Sequence, residues 1–152
     1  IKESLINFKP LSHRMEKVEI NKKILFINDS KATNLNSTKS AVESFNNKII
    51  LILGGYTSNE IDNKSIGDLI KKNNINKVVC YGKVGEKLVN IISRYKDCFY
   101  YKNFSEAISM ALKHAKPTDT VLLSPGFKSF DQFKNYEERG NKFKEIIYKY
   151  YA

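Results

Sequence analysis

Short apolar runs alternate with amphipathic stretches along most of this chain. The runs are bounded by turn-forming residues, and their continuous apolar and β-branched content is typical of parallel strands covered on both faces. A further short strand at residues 17–20 is predicted to form a hairpin with the first run through Asn21 and Lys22. The main predicted strands are residues 24–27, 49–53, 77–81, 98–101 and 120–123.

Between these runs, apolar residues recur at the spacing that places them on one face of a helix. The alternation of strands and helices predicts an α/β, Rossmann-like domain with a mainly parallel sheet and helices on both faces. The strands near Ile24, Ile49, Val78 and Val121 are expected at its centre, and the lack of repeats or linkers indicates a single domain. The predicted helices lie around residues 37–45, 66–70, 84–92, 104–115 and 141–151.

Composition narrows the class of protein. The chain has 152 residues, 28% of them charged, and a formal net charge of +10. Such a charge fits either attraction to phosphorylated partners or lysines scattered over solvated faces. Since there is no run of five or more positive residues, we expect no nucleic-acid partner, although a basic nucleic-acid-binding α/β module stays as an alternative.

The same sequence predicts a cytoplasmic protein with no membrane partner. No apolar run approaches the roughly 20 residues that cross a bilayer, and the polar start has no signal-peptide pattern. Because that start lacks a methionine, we expect a fragment or a processed product. Cys80 and Cys98 are expected to be free thiols, and with only His13 and His114 as further soft ligands we expect no metal site.

The most informative polar segment is residues 28–34, which directly follows the first predicted strand. Ligands of open α/β sheets bind at the carboxyl ends of the strands, where this segment lies. Lys31 would place a positive charge beside backbone N–H groups, a combination that suits a carboxylate or a phosphate. The alternative is that Asp29 and Asn34 are turn formers or helix caps.

Other segments carry weaker signals. Ser124-Pro125-Gly126 is predicted to turn sharply after the last strand and to present Ser129, although no serine-hydrolase elbow is present. Gly54-Gly55 permits positive φ or a close backbone approach. Arg14 could grip phosphate oxygens or form a structural salt-bridge corner, and His13 alone is no catalytic signature.

Taken together, three segments resemble the Mur ligases in sequence and order. They read Pro-Leu-Ser-His-Arg-Met-Glu at residues 10–16, Phe-Ile-Asn-Asp-Ser-Lys-Ala-Thr-Asn at 26–34, and Leu-Leu-Ser-Pro through Arg-Gly-Asn-Lys-Phe at 122–143. The similarity is strongest to the carboxy-terminal domain of the branch that adds D-glutamate. It spans nearly the whole chain, and the second and third segments are long and specific.

The resemblance implies that residues 1–152 form the carboxy-terminal, amino-acid-binding domain, without the amino-terminal UDP-binding and central ATPase domains. Intact Mur ligases of this branch are ADP-forming ligases of peptidoglycan precursor synthesis. They join D-glutamate to UDP-N-acetylmuramoyl-L-alanine through an acyl phosphate. ATP is a substrate, and the Mg²⁺ ligands belong to the central domain, so the isolated domain is expected to be inactive. Its implied partners are the two other substrates and the other domains of the enzyme.

The resemblance also assigns roles to individual residues. Arg14 would reach the ATP phosphates and Asp29 the ribose, while Lys31 would act catalytically where the two substrates meet. His13 enters the catalytic list only as the neighbour of Arg14. The carboxylates of the incoming amino acid would be held by Thr33, Ser129 and the backbone of Tyr136.

One departure bears on specificity. Mur ligases of this branch usually carry a lysine shortly after the glycine pair that grips a glutamate carboxylate, and none follows Gly54-Gly55 here. Lys128 stands where a small residue is usual, and we predict that its ammonium compensates for the missing lysine. The alternatives are a Mur ligase paralogue that adds a different amino acid, and a phosphate- or amino-acid-binding receptor domain. The absence of a secretion signal counts against the receptor.

Overall fold

A computed structural model describes residues 11–152, so Pro10 of the first motif lies outside the described residues. Within these residues, one sheet contains all six strands in the order β1-β2-β6-β3-β4-β5. Only the β1–β2 pair is antiparallel. The strands are β1 (Glu16–Lys17), β2 (Leu25–Asn28), β3 (Ile49–Gly54), β4 (Ile75–Tyr81), β5 (Cys98–Tyr101) and β6 (Thr120–Gly126).

Five helices in the described part of the chain cover both faces of the sheet. One face packs against α1, α2 and α3, and the other against α4 and α5, each through a separate apolar cluster. The predicted α/β architecture is confirmed, and the four strands expected at the centre, β2, β6, β3 and β4, are central. The helices are α1 (Leu35–Glu43), α2 (Asn63–Ile70), α3 (Gly85–Ile92), α4 (Phe104–His114) and α5 (Tyr136–Tyr150).

The amino-terminal hairpin differs from its prediction. Its ladder pairs Glu16 with Asn28 and Lys17 with Ile27, so β1 ends before the predicted strand at 17–20 is complete. The connection is longer than Asn21-Lys22, and the carbonyl of Lys23 accepts a hydrogen bond from Thr118 N–H at 2.9 Å on the β6 side of the strand. The hairpin itself is confirmed.

The end of β6 also corrects the sequence interpretation. Ser124-Pro125-Gly126 does not turn sharply but continues the strand, with a register shift against β3 between Ile52 and Gly54. This irregularity accommodates Pro125, which has no N–H for the ladder. Gly126 then donates its N–H to Ala32 O at 2.9 Å, which joins the end of β6 to the loop after β2.

Three helices begin earlier than predicted, and one of them is α2, which starts at Asn63 after its cap Asp62. Asn34 caps α1 by accepting a hydrogen bond from Ser37 N–H, so the helix starts at Leu35, and the helix-cap interpretation of Asn34 is confirmed. Helix α5 starts at Tyr136 because Asn135 caps it, and its first turn contains Arg139 and Gly140. In the described residues, no helix is both long and apolar enough to span a membrane.

Candidate functional site

The loops after β2, β6, β3 and β4 meet at the carboxyl edge of the sheet, where parallel strands end together. They carry most of the side chains that the sequence singled out. The turn before β1 joins them, because β1 runs antiparallel to β2 and begins at the same edge. This edge is therefore the candidate site.

The turn that carries Arg14 is fixed to the loop after β2. Lys31 donates its N–H to His13 O at 2.9 Å, and Met15 donates its N–H to Asp29 Oδ1 at 3.1 Å. His13 and Met15, on either side of Arg14, both have positive φ, at 66° and 46°. Such conformations are unfavourable for these residue types and persist where the surrounding contacts impose them, often at functional sites.

Beside this turn lies a cavity of about 380 Å³ between the turn, the loop after β2 and α1. Arg14, Asp29 and Lys31 all line it, so three of the predicted site residues share one cavity. The Arg14 side chain is exposed and, among residues 11–152, forms no ion pair, so its guanidinium is available to an anion. The cavity thus joins two positive groups and one carboxyl group.

Asp29 is more constrained than a turn former. It is only 5% exposed, Ser124 Oγ donates to its Oδ2 at 2.8 Å, and Met15 N–H binds its other oxygen. Burial raises the pKa of Asp29, although these hydrogen bonds and the charge of Arg14 oppose the shift. The carboxyl group therefore holds three chain segments together as well as lining the cavity, and a ribose hydroxyl would have to use its remaining lone pairs.

His13 is a buried residue at the centre of a polar network. Its ring Nδ1 lies 3.0 Å from Asn28 Nδ2, which also donates to Glu16 Oε2 at 2.8 Å. Lys144 completes the network with a 3.1 Å contact to Glu16 Oε1. Because the amide nitrogen of Asn28 can only donate, Nδ1 of His13 must accept, which leaves the proton of the neutral ring on Nε2.

The packing around this ring also explains Gly140. A Cβ at Gly140 would stand 2.1 Å from His13 Nδ1 and 3.0 Å from the Asn28 amide, so only glycine leaves room for the ring. His13 is therefore a structural support for Arg14 and Lys31 in this structure. No contact of the ring with the cavity beside Arg14 is present.

We expect His13 to make the fold sensitive to mild acid. Burial is the main reason why its pKa lies below the usual 6.5, with Glu16 opposing the shift. A lowered pKa in the folded state means that the unfolded chain binds more protons below pH 6.5, so stability present above that pH is lost as the pH falls. Urea unfolding at pH 7.5 and 5.5 should show a larger loss for the natural chain than for His13→Asn. Parallel losses would contradict this role.

Lys31 also lies beside Tyr136. The Lys31 ammonium is 5.8 Å from the centroid of the Tyr136 ring, and the centroids of the Tyr136 and His13 rings are 6.1 Å apart in an edge-on arrangement. Tyr136 opens α5, where backbone N–H groups have no acceptor within the helix. A lysine beside a helix N-terminus is a favourable environment for a carboxylate.

Two predicted hydroxyl residues, Thr33 and Ser129, occupy neighbouring loops. Thr33 follows Ala32, whose carbonyl binds Gly126 N–H, so it lies beside the end of β6. Ser129 is only 2% exposed, which contradicts the expectation of a freely presented hydroxyl. Its carbonyl accepts hydrogen bonds from the N–H groups of Gln132 and Phe133, and this turn draws the side chain inward.

The glycine pair and Lys128 belong to two loops in direct contact. Tyr56 and Lys128 exchange two backbone hydrogen bonds, at 2.8 and 3.1 Å. A Cβ at Gly55 would stand 2.3 Å from Lys128 O, and Gly55 has a φ of 126°. The close approach predicted for Gly54-Gly55 is therefore confirmed. The Lys128 side chain is exposed, so its ammonium can reach outward from this junction.

Sequence reasoning missed two residues that organise this edge. Arg139 is 0% exposed and donates hydrogen bonds to the loops after β2 and β6. Ser30 is also fully buried and donates its hydroxyl to Tyr136 O at 2.8 Å. The Arg139-Gly140 pair of the third motif was the available signal, but nothing local indicates that this arginine points into the sheet edge.

The described residues contain no group of three His, Cys, Asp or Glu side chains arranged to hold a metal ion. Cys80 and Cys98 are both free thiols.

Several known proteins resemble this chain in sequence. The profile of the family "Mur ligase, glutamate ligase domain" matches residues 13–127. A "UDP-N-acetylmuramoylalanine--D-glutamate ligase" of Porphyromonas gingivalis is 44% identical over 97% of this chain and 32% of its own length. The same-named protein of Christiangramia forsetii is 38% identical over 97% of this chain and 33% of its own.

Among solved structures, the MurF ligase of Thermotoga maritima in complex with ADP shares this fold. Its TM-score is 0.62 at 15% identity, over 97% of this chain and 34% of that one. This chain thus spans about a third of the length of the curated relatives that it matches.

Proposed function

Because the chain belongs to the Mur ligase family, we propose that it is the carboxy-terminal, amino-acid-binding domain of an ADP-forming ligase. The intact enzyme would join D-glutamate to UDP-N-acetylmuramoyl-L-alanine in peptidoglycan precursor synthesis. The amino-terminal UDP-binding domain and the central ATPase domain would account for the other two thirds of the length seen in the relatives. Substrates of this kind, ATP and a UDP-linked sugar, would be consistent with an enzyme of the cytoplasm.

The observation that carries this proposal is the shared cavity of Arg14, Asp29 and Lys31. These residues come from two segments that are fixed to each other by the hydrogen bonds of His13 O and Asp29 Oδ1. Two cationic side chains and a carboxyl group, held at the carboxyl edge of a parallel sheet, suit a nucleotide with its phosphates and ribose.

The chemistry of amide ligation gives each group a task. The γ-phosphoryl group of ATP passes to the substrate carboxylate and ADP leaves; the amine of the amino acid then attacks the acyl carbon, and phosphate leaves with the bonding electrons. Negative charge accumulates on phosphate oxygens in both steps, so positioned cations lower both barriers. Arg14 would bind the ATP phosphates, Asp29 the ribose, and Lys31 the oxygens between the two substrates.

The incoming amino acid would lie against Lys31 and the start of α5. The N–H of Tyr136 and the hydroxyls of Thr33 and Ser129 are the donors that we assign to its carboxylates. Ser129 is buried, so it would bind a carboxylate only where the substrate reaches into the edge of the sheet. Mg²⁺ would neutralise the phosphates during transfer, with ligands from the central domain.

The proposal predicts that this chain alone binds ATP weakly and catalyses no ligation. The cavity offers only part of a nucleotide site, and the sequence contains no phosphate-binding loop. Calorimetry with ATP and an assay for phosphate release with both other substrates would test this, with the full-length enzyme as the positive control. Ligation by this fragment alone would overturn the domain assignment, and an inactive full-length enzyme would overturn the reaction.

Specificity for a dicarboxylic amino acid gives a second test. An unpaired buried carboxylate costs several kcal/mol, and no lysine follows Gly54-Gly55. Lys128 is hydrogen-bonded through its backbone to Tyr56 of that same loop, and its flexible stem allows the ammonium to reach the vacated volume. In the full-length enzyme, Lys128→Ala should raise the KM for D-glutamate at least about tenfold, the effect of losing one such contact, and leave that for ATP unchanged.

Lys83 is the natural comparison, since its ammonium lies 5.7 Å from the centroid of the Tyr56 ring. If the KM for D-glutamate rises in Lys83→Ala but not in Lys128→Ala, the cation that binds the substrate carboxylate is Lys83, on the loop after β4. If neither variant changes the KM for D-glutamate, the incoming amino acid is a different one, as in a paralogue of the family.

A further inference from the structure

Arg139 is the largest fully buried side chain with a polar head in the described structure. It lies in the first turn of α5, is 0% exposed, and points into the carboxyl edge of the sheet. Its guanidinium makes four hydrogen bonds, all to uncharged oxygens. They are Nε to Ser30 Oγ at 2.9 Å, Nη2 to Ser30 O at 2.8 Å, Nη1 to Phe127 O at 3.0 Å and Nη1 to Tyr81 OH at 3.1 Å.

The guanidinium has no direct ion-pair partner in the described part of the chain, although the Asp131 carboxyl group is near enough to Tyr81 to add to the effect of burial in raising the pKa of that hydroxyl. Among residues 11–152, no carboxylate forms an ion pair with Arg139. Burial raises the pKa of Tyr81 to about 12, so its hydroxyl is neutral as well. A buried and unpaired charge is costly, which makes a purely structural choice of arginine at this position unfavourable.

The four bonds connect the loops that carry the proposed site residues. Ser30 immediately precedes Lys31, and Phe127 is two residues before Ser129. The Ser30 hydroxyl also donates to Tyr136 O, in the same turn of α5. Because a guanidinium is a planar, rigid fork, its donors hold these acceptors at fixed separations, which a flexible ammonium cannot do.

From this geometry we propose that Arg139 is the positioning residue of the site. It would fix the position of Lys31, on the loop after β2, relative to Ser129, on the loop after β6. Arg139 touches no substrate in this arrangement and acts through Ser30 and Phe127. The inference rests on the proposed function, because it assigns those two loops to the two sides of one reaction centre.

The test compares two variants of the full-length enzyme, each of which deletes one hydroxyl oxygen that binds the Arg139 guanidinium. Ser30→Ala removes the Arg139 Nε contact beside Lys31, together with the bond to Tyr136 O, and keeps the contact of Ser30 O with Arg139 Nη2. Tyr81→Phe removes a contact on β4. Misplacement of a reacting group by about 1 Å can cost about a hundredfold in rate. We therefore expect kcat at saturating substrates to fall at least about tenfold in Ser30→Ala and less than about threefold in Tyr81→Phe.

Ser30→Ala loses two hydrogen bonds, with Arg139 and with Tyr136 O, and Tyr81→Phe loses one, so Ser30→Ala should unfold at the lower temperature. The rates are compared well below both unfolding temperatures, where a stabilising role alone would give similar kcat values. Equal kcat values would overturn the inference. Arg139→Ala adds an independent measurement: millimolar guanidinium should restore part of its kcat, and Arg139→Lys should not match the natural enzyme. The natural enzyme must first show ligation, since its inactivity would instead refute the proposed function.

Discussion

Replacing Lys31 with alanine in the full-length enzyme is expected to lower turnover by more than roughly a hundredfold, since one charge contact in a water-excluded site contributes roughly 3 kcal/mol to the transition state. The ammonium of Lys31 lines the cavity with Arg14 and lies 5.8 Å from the Tyr136 ring at the start of α5. In the proposed site, Lys31 would therefore lie between the nucleotide and the incoming amino acid.

Steady-state assays of phosphate release, with each substrate varied in turn, would measure the effect of Lys31→Ala. Lys39→Ala is the matched control, because Lys39 is an exposed lysine of α1 that does not line the cavity. The backbone N–H of Lys31, which binds His13 O, is kept in the variant, so the fold should be unaffected. A near-normal turnover in Lys31→Ala would show that Lys31 has no catalytic role.

Much of the fold could be predicted from the sequence because its signals are local. Strands β3 and β6 are buried along their whole length, and continuous apolar runs of this kind are specific to sheets covered on both faces. Boundaries were less predictable. The start of α5 depends on a cap at Asn135. A proline such as Pro125 predicts the end of a strand, but a register shift keeps it within β6.

The candidate site could be predicted only as a set of segments. Asp29, Lys31 and Arg14 were recognisable from their motifs, but the bonds that hold their loops together join residues 14 and 95 positions apart in the sequence. Arg139 and Ser30 are 109 residues apart in sequence, and no periodicity or local motif reports such a pair. Likewise, the motif shows His13 only as the neighbour of Arg14, and the packing of its ring against Gly140, 127 residues away, could not be predicted from it.

The second prediction concerns Arg14. The backbone on both sides of Arg14 is held in unfavourable conformations, each of which costs of order 1–3 kcal/mol. The chain maintains them through the bonds of His13 and Met15 to the loop after β2. The strained turn fixes the backbone of Arg14 beside the cavity. The Arg14 side chain forms no ion pair with any described residue, which is expected of a side chain that binds an anionic substrate.

Arg14→Ala in the full-length enzyme is expected to reduce turnover by more than roughly a hundredfold, the cost of one lost charge contact to the phosphates. Arg14→Lys should recover only part of the rate, because an ammonium keeps the charge but cannot bind two phosphate oxygens side by side. Lys17→Ala, at an exposed residue of β1 paired with Glu19, is the control. The measurement is kcat with ATP varied at fixed D-glutamate. Rates near normal in Arg14→Ala would leave the guanidinium as a structural corner, and the strained turn would then require a different explanation.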